Sequence, residues 1–128
     1  MKISELASTL KLENWKSYCE KHAIQRKRLL SRQDGAATSG DLNMKFDVSD
    51  VTVEYTHIRS LCNAVLDSNL EPDDAYFIAN LLILSGFDFD RESTEDAIYL
   101  LSTPAKNVLG SDVAIEALSI LSSKVGSD

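Results

Sequence analysis

The stretch Gly86–Asp96, GFDFDRESTED, sets Asp88, Asp90 and Glu92 at alternate positions with Phe87 and Phe89 between them. Carboxylates at that spacing can ligate a hard cation, and an EF-hand calcium loop begins with oxygen ligands at its first, third and fifth positions. Counted from Asp88, the first half of the loop is matched. Its sixth position is Ser93, where the sharp turn needs glycine, and its twelfth is Tyr99, where a bidentate glutamate belongs. Without that twelfth ligand the cation loses its two-oxygen anchor, so no calcium is expected here. The same residues suit a protein interface, because carboxylates attract and orient Lys or Arg while an aromatic ring supplies area that is desolvated on contact. The candidate partner-binding set is Phe87, Asp88, Phe89, Asp90, Glu92 and Glu95. The plainer alternative makes Phe89 a core residue and leaves the acids facing solvent.

Other chemistry is poorly specified. Cys19, His22, His57 and Cys62 are all the cysteines and histidines of the chain. A tetrahedral zinc site would need the four to converge, and on a helix the spacing of His57 and Cys62 turns them away from each other. Metal ligands and cofactors are therefore expected to be none. Two isolated cysteines without paired spacing read as free, buried thiols in a reducing compartment. The chain lacks a glycine-rich phosphate loop, an HExxH pattern and a nucleophile elbow. Neither histidine has a carboxylate neighbour in sequence that argues for a tuned base. No catalytic residue is assigned, and the expectation is a protein that is not an enzyme.

The elements that must carry these residues read as helices. Ile3, Leu6, Ala7 and Leu10 keep a helical period, and Trp15, Tyr18, Cys19 and His22 fall on one side of a second helix starting near Asn14. The basic run Gln25–Arg28 leads into Leu29 and Leu30, and the small, polar residues 34–41 read as a mobile loop. Between Asp47 and Leu70 the apolar positions Val51, Tyr55, Ile58, Leu61, Cys62 and Val65 favour a helix capped by Ser49 or Asp50, with a short strand at 51–55 as the lesser alternative. Pro72 followed by Asp73 and Asp74 marks the start of another helix, since proline loses no needed hydrogen bond there and the aspartates meet the positive end of the dipole. Residues 75–84 are apolar nearly all round, which predicts a helix surrounded by others.

Gly86 should end that helix, with Phe87 folding back on its last turn. Ser93 and Asp96 resemble a capping box for a helix through Ala97, Ile98, Leu100 and Leu101. Thr103–Pro104 then predicts a short helix closed by Gly110, and Ser111 a cap for a last one with Val113, Ala117, Ile120 and Leu121 inward. Asp50, Asp73, Asp74, Glu95, Asp96 and Asp112 fall in these expected first turns, whereas Asp88, Asp90 and Glu92 do not. The expected fold is all-α: one domain over residues 1–128, a compact bundle of about six helices. It divides into basic helices over 1–33, a loop over 34–46 and an acidic helical core over 47–128.

The charge is uneven along the chain. Of the formal −7, residues 1–45 carry +4 and residues 46–128 carry −11. Such an excess repels nucleic acid and membrane surfaces and steers a basic partner towards the C-terminal two-thirds. The run Arg26, Lys27, Arg28 with Arg32 offers only a modest phosphate footprint and is better explained as packing against the chain's own acids. No apolar run approaches membrane-spanning length, and a soluble, cytoplasmic protein is expected. Small, acidic, helical and without a chemical motif is also the general character of bacterial immunity proteins and antitoxins, and the chain resembles that class in this character alone. It implies an inhibitor of a basic protein partner, such as a toxin or nuclease. The other readings are an adaptor or chaperone-like module that binds a partner helix, and a structural homo-oligomer component.

Overall fold

The computed structural model describes residues 1–31, 40, 42–103 and 110–124. Over these residues the chain forms seven helices and two very short strands: α1 (Ile3–Leu12), α2 (Trp15–Lys21), α3 (Ala23–Leu30), β1 (Thr52–Val53), α4 (Tyr55–Leu66), α5 (Pro72–Leu84), β2 (Asp88–Phe89), α6 (Glu92–Leu101) and α7 (Gly110–Lys124). The fold is all-α. The expected loop over 34–41 and the expected helix after Pro104 lie outside the described residues, Gly40 and Gly110 apart.

α5 occupies the centre for the reason its sequence suggests. Ala75, Phe77, Ile78, Ala79, Leu81 and Leu82 are all buried, so the helix has no wide polar face to turn outward. α2, α3, α4, α6 and α7 all pack on it. The amphipathic helices turn single stripes inward: Ile3, Leu6 and Leu10 from α1, Trp15, Tyr18 and Cys19 from α2, and Ile58, Leu61, Cys62 and Val65 from α4. One continuous core runs from Ile3 to Leu121. The segment before β1 is tied back to the N-terminus, since Ile3 donates to the Lys45 carbonyl at 2.9 Å and Lys45 to that of Met1 at 2.8 Å.

Several boundaries differ from the sequence reading. The helix expected from Asp47 begins only at Tyr55, and its N-cap is Glu54, not Ser49 or Asp50. Asp50 has φ +60°, in the left-handed region, and belongs to no helical first turn. The lesser alternative is the one realised ahead of it, because Thr52 and Val53 pair in parallel with Asp88 and Phe89. α6 starts at Glu92 with Arg91 as N-cap, in place of the box expected at Ser93 and Asp96, so Glu92 does lie in a first turn. Gly110 is the first residue of α7, which puts Ser111 inside α7 and not at its cap.

Gly86 meets its expectation. It follows α5 with φ +75°, a conformation that costs an L side chain about 1–2 kcal/mol and costs glycine nothing. Phe87, immediately after it, is buried.

Candidate functional site

α5, β2 and α6 together position the candidate residues. The turn at Gly86 brings the chain out of the core as β2, whose amides at Asp88 and Asp90 donate to the carbonyls of Val51 and Val53, 3.0 Å each. Strand alternation then sends Phe87 and Phe89 to one side and Asp88 and Asp90 to the other. Phe87 is buried and Phe89 half-buried against the core, while Asp88, Glu92 and Glu95 are exposed. Phe87, Asp88, Phe89, Arg91, Glu92 and Glu95 line an open cleft of about 510 Å³. Five of the six residues expected to form a site are thus brought together.

Asp90 is the exception. Its Oδ2 accepts the Tyr55 backbone N–H at 3.0 Å, at the N-terminus of α4 where that group has no intrahelical partner, and its Oδ1 accepts the Thr94 hydroxyl at 2.6 Å. The residue as a whole is exposed but its side chain is only 19% so, and Oδ2 also lies 3.5 Å from Arg91 Nε. Asp90 therefore ties β2 to α4 and α6, with both oxygens engaged within the fold. It does not line the cleft.

Arg91 and Tyr55 were missed. The Arg91 guanidinium lies 4.2 Å from the centroid of the Tyr55 ring, and that of Arg59 lies 5.4 Å from it. Cation–π attraction and the Asp90 carboxylate hold Arg91 in the cleft as its one cation among the described residues. The sequence carries no local signal for this, since Tyr55 and Arg91 meet only through the pairing of β1 with β2.

Several other titratable groups pair or pack within the fold. Glu5 on α1 accepts from Lys21 at 2.9 Å and lies 3.2 Å from His22 Nε2. The Lys21 ammonium, chiefly, holds Glu5 below the usual carboxylate range against a partial cost of burial. Burial lowers the pKa of His22, outweighing the nearby Glu5 carboxylate, and its ring leans on Tyr18 with centroids 4.6 Å apart. His57 accepts the Glu54 N–H at 3.0 Å through Nδ1, so its Nε2 carries the proton and sits 3.6 Å from Glu54 Oε2. Each histidine therefore has a carboxylate within reach, His57 from Glu54 three residues earlier and His22 from Glu5 across the fold. Neither lines the acidic cleft.

Arg26 pairs with Asp74 and, at 3.0 Å, with Glu71. One arginine of the basic run is thus neutralised by the acidic part of the same chain, as the simpler account of that run expects. Burial pushes the thiols of both Cys19 and Cys62 up to about 12, which leaves them protonated and unreactive at neutral pH. Both are free. Among the described residues, no group of three or more potential metal ligands comes together. No protein-family model matches the chain, and neither the curated proteins nor the solved structures contain a significant match.

Proposed function

We propose that this protein is an inhibitor of the immunity-protein or antitoxin kind, which neutralises a basic partner, a toxin or nuclease, through an acidic surface. The observation that carries this reading is the cleft at the α5–α6 junction, where Asp88, Glu92 and Glu95 stand exposed around half-buried Phe89. Carboxylates fixed on helical and strand backbone stand in for the phosphates of a polyanionic substrate, and Phe89 provides the apolar anchor. Two further observations support it. Among the described residues, the acids that pair with N-terminal cations, Glu5, Glu71 and Asp74, lie outside the cleft. No helix among the described residues is long and apolar enough to cross a membrane. In this reading the protein works in the cytoplasm, where its two thiols stay reduced.

Affinity capture from the native host, followed by kinetics on the captured partner, tests it. The triple reversal Asp88→Lys, Glu92→Lys, Glu95→Lys is expected to slow association by at least about tenfold at low salt, because steering by exposed charge acts mainly on the on-rate. It should also flatten the salt dependence. An unchanged rate and slope would remove the cleft from the interface.

A second reading rests on the groove of about 730 Å³ lined by Cys19, Ala23, Val65 and Leu70 with Lys16, Glu20 and Arg26 among its polar residues. An adaptor that seats a partner helix there would bind with an affinity nearly independent of salt.

A further inference from the structure

Among the described residues, β2 pairs along one edge with β1 and along the other with no strand. The amides of Asp88 and Asp90 point at β1, so the N–H and C=O of Phe89 point the opposite way, as does the Phe87 carbonyl, because backbone groups alternate in direction along a strand. The Phe87 amide is already taken by Ser85 Oγ at 3.3 Å. Among the described residues, no backbone group pairs with this second edge. The cleft touches Phe87 and Phe89 from one face of the strand, Asp88 from the other, and Glu92 and Glu95 from α6. The residues that carry the unpaired backbone groups, Phe87 and Phe89, thus line the same cleft as Glu92 and Glu95 of the first turn of α6.

Resting on the acidic-surface reading above, we propose that the partner docks here as an extended basic segment, added as a third strand to the free edge of β2. Its backbone bonds the Phe87 carbonyl and the N–H and C=O of Phe89, which is how an exposed sheet edge captures a peptide. Its Lys or Arg side chains meet the carboxylates of Asp88, Glu92 and Glu95 that line the cleft. A strand is favoured over a helix as occupant because strands of two residues each sit at the lower limit of a stable sheet, and a third strand satisfies polar groups that nothing else described pairs. Arg91 narrows the partner further. Fixed in the cleft over Tyr55, it repels an unbroken run of positive charge and selects a segment in which basic residues alternate with neutral ones.

The probe is a peptide of alternating lysine and valine, titrated into the ¹⁵N-labelled protein beside two controls. One control is the same peptide N-methylated at alternate amides, and the other a lysine–alanine helical peptide of equal charge. The alternating peptide is expected to bind and to shift and protect the Phe89 amide. N-methylation, by removing two or so hydrogen bonds, should weaken it by about tenfold or more. Equal binding of the N-methylated or helical peptide, with the Phe89 amide unprotected, overturns strand addition and leaves the acidic surface standing. No binding by any of the three, or full binding to the Asp88→Lys, Glu92→Lys, Glu95→Lys variant, overturns the surface reading together with the strand.

Discussion

Asp88 and Asp90 are chemically identical and two positions apart, yet the fold gives them opposite work. Asp88 faces solvent in the cleft, whereas Asp90 accepts the first N–H of α4 and the Thr94 hydroxyl. Losing a helix-capping acceptor costs about 1 kcal/mol, and losing a second, partly buried hydrogen bond costs about as much again. Asp90→Ala is therefore expected to destabilise by about 2 kcal/mol and Asp88→Ala by less than about 0.5, the usual range for an open surface position. Urea unfolding of both variants checks this. Equal midpoints would mean that Asp90 does not hold the three elements together. At Gly86 the cost is conformational alone: an added Cβ would meet nothing within 4 Å, but φ is +75°. Gly86→Ala should lose about 1–2 kcal/mol in the same assay. The glycine was legible in the sequence because its requirement is local, lying where a helix of apolar residues stops. The split between Asp88 and Asp90 was not, since it depends on Tyr55 arriving from thirty-five residues away.

The junctions between elements show where pH acts. His22 sits between α2 and α3, buried against Tyr18 and beside Glu5 of α1. Burial lowers its pKa in the folded chain below the ordinary 6.5, so at mildly acid pH the unfolded chain binds the proton more readily. The stability contributed by neutral His22 is then complete above about 6.5 and is lost as pH falls through the lowered folded value. Glu5, held below 4.5 by Lys21, works in the same direction at lower pH. Unfolding free energy is expected to decline as pH drops from 7.5 towards 5, and His22→Gln should flatten that decline. A wild-type profile level across this range would show that the histidine is not held neutral. Helical faces were readable here because burial follows a period: Trp15, Tyr18, Cys19 and His22 share a side in sequence and all four are buried. The parallel pairing of β1 with β2 was not readable, because two-residue strands carry no period and their partners are chosen by tertiary contact.

For the molecule as a whole, the issue is whether total charge or its placement governs encounter with a basic partner. Reversing Asp88, Glu92 and Glu95 to lysine takes the formal charge from −7 to −1, and long-range attraction alone would fall with it. Glu13, Glu20 and Asp67 are exposed acids outside the cleft: Glu13 and Asp67 line a groove of about 560 Å³ beside Trp15, and Glu20 lines the larger groove near Arg26. Reversing these three gives the same −1. Exposed charges further apart than about 8 Å, the Debye length at physiological salt, are largely screened from each other. The control triple should therefore slow association only at low ionic strength, while the cleft triple slows it at physiological salt as well and speeds dissociation by removing direct contacts. Stopped-flow association at about 20 and 150 mM salt, between which the Debye length shortens from about 20 to about 8 Å, separates the two cases. Matching losses for both triples at both salts would mean that bulk negative charge, and not the cleft beside β2, draws the partner in.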